Sequence, residues 1–290
     1  MTIMELLADS PGLFVLLAVL LGLMVGSFLN VVIHRLPLMM EREWRSQCAE
    51  LLSQPAPKSD QTPLNLWRPR SRCPHCGHLI GAMENIPLLS YALQRGRCVH
   101  CQAAISIQYP LVEAASGLLA GIVAWEFGFG WPAAAALIFT WTLLAASVID
   151  FRHQLLPDDL TLPLLWLGLG IALFGLFADL PSAVIGAMAG YLALWSVYQA
   201  FRLLTGKEGM GFGDFKLLAA LGAWTGWQYL IIIIILSSLV GALCGLALVL
   251  FRQRDRQIPM PFGPFLAAAG WIALLWGGPI NSAYLRWLGG

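Results

Sequence analysis

The sequence predicts an all-α polytopic membrane protein, with about eight transmembrane helices and a small cytoplasmic domain between the first and second. Three observations carry this. Of the 290 residues, 58% are hydrophobic and 11% charged, where a soluble domain carries roughly 25% charged residues. Apolar runs recur at lengths able to cross about 30 Å of hydrocarbon, which takes roughly 20 residues. All but Arg286 of the 17 lysines and arginines fall in four clusters. A soluble globular enzyme is thereby excluded, and a net charge of +1 gives no footing for nucleic acid.

Spans are expected near 13–33, 111–127, 131–150, 160–177, 181–201, 215–226, 227–251 and 262–278. Before the first run stand Glu5 and Asp9 and no basic residue. A cleavable signal has a basic start, so the first span is expected to stay as an anchor. The run 215–226 covers only about 18 Å at about 1.5 Å per residue. Length alone would make it re-entrant or buried. Charge argues for a crossing, because cytoplasmic loops collect Lys and Arg. The clusters are Arg35 to Arg97; Arg152; Arg202 with Lys207 and Lys216; and Arg252 with Arg254 and Arg256. Eight crossings from an outside N-terminus put all four in the cytoplasm, whereas seven move the last one outside. The short segment is therefore expected to cross where water or neighbouring helices reach into the bilayer. Trp125, Trp131 and Trp227 read as interface anchors.

Three parts follow: an N-terminal anchor over 1–34, a cytoplasmic metal-binding domain over 35–110, and a multi-helix transmembrane domain over 111–290. In the second part, "SQPAPKSDQTP" reads as a flexible loop. No internal repeat stands out.

Cys73 and Cys76 in "CPHC" precede Cys98 and Cys101 in "CVHC", with 21 residues between the pairs. Two such knuckles make a zinc-ribbon-like pattern, with a spacer one residue past the usual range. Their thiolates can wrap one ion tetrahedrally, with sulfur at about 2.3 Å. Stable disulfides are rare in the cytoplasm, and a small loop-rich domain gains stability from a metal. Structural Zn2+ is the expectation and a redox dithiol pair the alternative. Four cysteines leave no open coordination position, so catalytic zinc is not expected. His75, His78 and His100 are alternative ligands, or solvated and packing groups. Cys48 reads as a loop thiol and Cys244 as a small apolar span residue.

A carboxylate at the membrane edge is costly and calls for a reason. Asp150 ends the third span, and Asp214 begins the sixth within "GMGFGDFKLL". The two spans run in opposite directions, so both aspartates, 64 residues apart, are expected at the cytoplasmic face. Two carboxylates a few ångströms apart do not both ionise readily; one keeps its proton. Such a pair can hold a water. The ionised member takes a proton from it, and the other protonates the carbonyl oxygen and then the leaving amine. Gly209, Gly211 and Gly213 suit the close approach of a substrate strand, and positive φ in a tight helix entry. Structural alternatives stand beside this: Asp214 as an N-cap, and Asp150 as a partner of Arg152 or Lys216. Asp158 and Asp159 read as a turn and helix cap, Glu126 as an outside interfacial residue, and His153 as solvated. Glu113 reads equally as an ion-pair member or a substrate contact. Glu84 and Asn85 are functional candidates.

These residues, with "GSFLNVVIHRLP", "CPHCGHLI", "MENIPLLSY", "GRCVHC", "YPLVE", "IDFRHQLLPD" and "TGKEGMGFGDFKLLAALGAW", run in order over nearly the whole chain. On them the sequence resembles the bifunctional prepilin peptidases of type IV pilus and type II secretion systems, which are GxGD-type aspartic membrane proteases. The resemblance implies Asp150 and Asp214 as catalytic residues, Gly209, Gly211 and Gly213 as the substrate loop, and Cys73, Cys76, Cys98 and Cys101 as the metal ligands. It implies prepilin and pseudopilin substrates, cut after a glycine to release a short basic leader. S-adenosyl-L-methionine is the implied methyl donor for N-methylation of the new terminus. The implied location is the bacterial inner membrane, multi-pass, with the active site facing the cytoplasm. The partners are then substrate and lipid bilayer, without nucleic acid; a homo-oligomer stays open. No Rossmann glycine fingerprint marks a methyl-donor site. By resemblance that activity falls on the cytoplasmic domain and its membrane junction, with no residue assigned. The segment from Met39 to Arg72 matches least. An ion-coupled transporter using membrane-edge aspartates is the rival reading, and a zinc-bearing membrane scaffold a third. The absence of a paired short span in the other half, and carboxylates at one face rather than the midplane, weigh against the transporter.

Overall fold

The computed structural model describes residues 3–53, 64–252 and 260–287. Most of the expected loop "SQPAPKSDQTP", and the basic residues Arg254 and Arg256, lie outside the described residues. The described chain is helical, apart from short loops and two isolated β-bridges.

The helices are α1 (Ile3–Asp9), α2 (Pro11–Leu51), α3 (Leu89–Leu93), α4 (Gln108–Phe127), α5 (Trp131–His153), α6 (Asp158–Ala172), α7 (Leu180–Thr205), α8 (Phe212–Thr225), α9 (Leu230–Arg252) and α10 (Gly263–Trp287). Six are long and apolar enough to cross a membrane: α2, α4, α5, α7, α9 and α10. The other two expected spans are helices too, but shorter. α6 has 15 residues and α8 has 14. α2 does not stop at the expected membrane edge; it continues through Pro37 for 41 residues. Cys48 therefore lies on a helix, not in a loop. Pro279 removes an intrahelical donor from α10, and the helix kinks just upstream, at Trp276.

The chain gathers into two compact units, Met1–Ala133 and Ala134–Gly290. In the first, α2 and α4 run antiparallel along facing small residues. A Cβ built on Gly22 would stand 2.7 Å from the Ser116 carbonyl oxygen, and one on Gly26 would stand 2.7 Å from the Glu113 Cα. Gly117 and Gly121 give the same room to Leu23 and Val19. Without a hydrophobic drive between helices in lipid, such close backbone approach is what holds them together.

In the second unit α8 is the centre. Every residue from Leu217 to Thr225 is buried. α7 lies against it at Gly186 and Gly190; a Cβ on Gly190 would come within 2.6 Å of the Leu218 carbonyl oxygen. Trp224 joins two neighbours at once. Its Nε1 donates to the Leu164 carbonyl of α6 at 2.8 Å, and its ring lies 4.7 Å from that of Phe139 on α5. A 14-residue helix wrapped in this way needs no lipid-length apolar surface of its own.

Candidate functional site

Asp150 lies in the last turn of α5, and Asp214 in the first turn of α8. Both residues are buried, 6% and 8% exposed. One side chain stitches the surroundings together. Leu156, in the turn after α5, has its Cβ 2.6 Å from a Cβ built on Gly213, and its Cδ1 3.1 Å from one built on Gly263. Gly263 in turn holds Asp150: its N–H donates to Oδ2 at 2.9 Å. Asp150, Gly263, Leu156, Gly213 and Asp214 thus form one neighbourhood, entirely within the second unit.

The two aspartates are held differently. Gly263 is the first residue of α10, where the amides have no intrahelical partner and the helix dipole favours an anion. Asp150 takes that amide. Asp214 Oδ1 is buried with no hydrogen-bond partner among the described residues. The N-cap of α8 is Gly211, three residues earlier, so Asp214 does not cap its helix. Nor does Asp150 pair with Lys216, whose ammonium bonds both oxygens of Asp158 at 2.7 Å. Asp158 and Asp159 open α6 after Pro157, and the Lys216 pair ties the start of α6 to the start of α8.

The three glycines differ from one another. None of them has positive φ, so the expected left-handed entry into α8 is absent. Gly211 is extended at φ −78° and ψ 148°. Gly209 and Gly213 are glycines because Phe201 and Leu156 fill the space of a Cβ. Nothing lies within 4 Å of a Cβ on Gly211, so that position is open.

Nothing in the sequence marks Gly263 as part of the site. It contributes a backbone N–H from 113 residues away, and its signal is only a glycine starting a helix in "PFGPF". A Cβ there would press to 2.6 Å from Asp150 Oδ2. Gly263→Ala is expected to leave the fold intact and reduce turnover by about tenfold to a hundredfold, since small misplacements of a reacting group have effects of that order. Cleavage rate beside thermal unfolding of the purified variant checks this; an unchanged rate would mean the amide does not position Asp150.

In the first unit, Cys73, Cys76, Cys98 and Cys101 converge, with all four Sγ atoms within 4.8 Å of one another. Cys73–Cys101 and Cys76–Cys98 stand at 3.8 Å and 4.0 Å. A tetrahedron with metal–sulfur bonds of about 2.3 Å has sulfur–sulfur edges of about 3.8 Å, so the set fits one ion. The knuckles also repeat each other. Cys73 N–H donates to His78 O and Gly77 N–H to Cys73 O; Cys98 N–H donates to Ala103 O and Gln102 N–H to Cys98 O. The left-handed residue is Gly77 in one knuckle and Gln102 in the other. N–H groups of Cys76 and His75 aim at the Cys73 sulfur and draw its thiol down to about 7. Those of Cys101 and His100 likewise lower Cys98. Such donors suit thiolates. The histidines stay outside the cluster: His78 stacks on His100 at 5.4 Å and bonds Glu84 at 3.1 Å.

Glu113 forms no ion pair with a described residue. It accepts the Leu88 N–H at 2.9 Å, while Asn85 bonds Ser27 at 3.1 Å.

Comparison with known proteins places these features in context. Residues 20–127 match the Bacterial Peptidase A24 N-terminal domain, and residues 137–246 match the Type IV leader peptidase family. A prepilin leader peptidase/N-methyltransferase of Stutzerimonas stutzeri is 60% identical over 286 residues, covering 99% of both chains. The protein of the same description from Pseudomonas aeruginosa is 58% identical over 290 residues, 100% of this chain and 99% of that one. That of Aeromonas hydrophila is 58% identical over 283 residues, 98% of each. No solved structure matches.

Proposed function

The chain belongs to the prepilin leader peptidase/N-methyltransferase family, and from that membership we propose how its own residues act. It is an enzyme with two activities: it removes a leader from prepilins and methylates the new amino terminus. Asp150 and Asp214 are the peptidase pair. The observation that carries this is the single neighbourhood of Asp150, Gly263, Leu156, Gly213 and Asp214, with one carboxylate held by an amide and the other bearing an unpartnered oxygen.

In this reading Asp150, already accepting the Gly263 N–H, serves as the carboxylate that takes a proton from water. Asp214 carries the shared proton and delivers it to the carbonyl oxygen; as the carbon–nitrogen bond breaks, Asp150 passes the proton it took from water to the leaving amine, and Asp214 recovers one from the tetrahedral hydroxyl. The open Gly211 is where the substrate backbone runs alongside α8. Burial of the pair keeps bulk water from competing with these contacts. No metal or covalent intermediate is required.

The basic clusters support a cytoplasmic active site with eight crossings, α6 and α8 crossing as short helices among their neighbours. A prepilin with a polar leader and an apolar helix would then present its scissile bond at the bilayer boundary of the inner membrane. Pseudopilins of type II secretion share that chemistry. The four cysteines hold one structural Zn2+ in the first unit; S-adenosyl-L-methionine supplies a methyl group on a positively charged sulfur.

Mass spectrometry of a prepilin peptide incubated with the purified protein tests the whole reading. The leader should be lost without any methyl donor. With the donor added, the clipped product should gain one methyl group at its terminus. An intact peptide in both cases would overturn the reading, and ion-driven uptake in vesicles would favour the transporter.

A further inference from the structure

We infer that Glu113 binds the free ammonium of the newly exposed terminus and takes its proton for methyl transfer, with Asn30 and Ser27 beside it. This rests on the two-activity reading above and gives its second activity a residue. Arg35 and Glu113 are the buried charged groups among the described residues of the first unit. Arg35 is answered: its guanidinium donates to the carbonyls of Asn65, Leu66 and Pro69. Glu113 is not. It is 8% exposed between α2 and α4, and among the described residues its partners are the Leu88 N–H and the Ser27 side chain, neither of them a cation. A buried carboxylate without a cation is a costly arrangement.

A second observation points the same way. Asn30, one turn along α2 from Ser27, is 3% exposed. Its amide nitrogen donates to the carbonyls of Gly26 and Tyr109, while its Oδ1 is buried without a partner among the described residues. Tyr109 is one turn before Glu113 on α4, so Asn30 meets α4 within a turn of Glu113. A carboxylate without a cation and an amide oxygen without a donor suit a group offering several N–H bonds, and an ammonium offers three. Leu88, which presents its N–H to Glu113, is held at φ +60°. Non-glycine residues persist in that region where the surroundings force them, often at functional sites. The location fits the processed terminus better than the amino group of a soluble methyl donor. Glu113 is in the second turn of a membrane-length helix, where a substrate beginning an apolar helix can reach.

The chemistry balances. The ammonium gives a proton to the Glu113 carboxylate and becomes a neutral amine. The amine nitrogen bonds the methyl carbon as the carbon–sulfur bond breaks, its electron pair going to sulfur. The product is a methylated ammonium and a neutral thioether, and Glu113 later returns its proton to solvent.

Glu113→Gln tests this, because glutamine can still accept the Leu88 N–H and donate to Ser27. Leader cleavage should stay within about twofold, while methylation of the clipped product should fall at least about a hundredfold, as for loss of a general base. A binding measurement without methyl donor adds an independent readout. Wild type should bind a peptide with the free processed terminus about tenfold more tightly than its N-acetylated form, given the strength of charged hydrogen bonds. Glu113→Gln should lose that preference. Equal methylation by variant and wild type, a parallel fall of both activities, or an unchanged preference for the free amine would overturn the inference. So would a variant whose only change is weaker binding of S-adenosylhomocysteine, which would assign the site to the donor's amino group. A wild type that clips without methylating would instead strike down the two-activity reading, and this inference with it.

Discussion

Asp214→Asn is expected to abolish leader cleavage in a protein that remains folded, and Asp150→Asn to do the same. Asparagine matches aspartate in size but cannot exchange the proton that the reaction moves twice. Loss of one general acid or base costs about 10²–10⁴ in rate. Each aspartate here serves both halves of the reaction, so the fall should lie at the upper end. The pair also acts as a unit, and effects within such a unit do not add. The double variant should therefore be no slower than either single one. Single-turnover cleavage of a prepilin peptide at saturating enzyme measures all three. Asp158→Asn is the control. Its carboxylate is also acidic and near α8, but it is exposed and occupied by Lys216, so cleavage should change little. A single aspartate variant retaining a tenth or more of wild-type turnover would remove the pair from the mechanism.

The two aspartates were legible because charge next to apolar runs is costly and so stands out. The opposite run directions of their spans put them at one face on sequence alone. The supports were not legible. Gly263 acts through an amide, and a backbone group leaves no mark in residue type. Leu156 matters by where its Cβ falls between two glycines, and a leucine in a leucine-rich turn carries no signal. The expected positive φ at Gly209, Gly211 and Gly213 failed because the glycines there answer to side-chain crowding, by Phe201 and Leu156, or to open space. Other features are written plainly in the sequence. Gly22 with Gly26, Gly117 with Gly121, and Gly186 with Gly190 each have the one-turn spacing of close helix packing. The knuckles repeat at 25 residues, Cys73 to Cys98 and Cys76 to Cys101, but their hydrogen bonds match better than their letters. The length of α2 was hidden by Pro37; proline marks a helix end by preference only, and here the helix runs through it.

Replacing Cys98 by serine is expected to unfold the knuckle region and to remove one zinc per chain. The region has little else to hold it. Apart from tight turns and the short α3, its strand pairing amounts to two isolated bridges, Arg72 with Leu79 and Arg97 with Ala104. Binding free energy for structural zinc in small domains is about 10–16 kcal/mol, comparable with the whole stability of a typical domain, about 5–15 kcal/mol. Removing one ligand from such a site forfeits most of that. The alternative of two disulfides needs sulfurs about 2.05 Å apart, and here the nearer pair stands at 3.8 Å. The alternatives also part in solution. A thiolate–metal site should resist a mild reductant and yield to a strong chelator, whereas a disulfide does the reverse. Metal analysis of wild type and Cys98→Ser, with limited proteolysis across residues 71–105, reads both consequences. The variant should be cut there at protease levels that leave wild type whole, and chelated wild type should follow it. Full-length protein free of zinc, with an unaltered cleavage pattern, would mean that four converging thiols hold their positions without an ion. The N–H groups aimed at Cys73 and Cys98 would then have no anion to stabilise, which is why a bound dication accounts for the arrangement better.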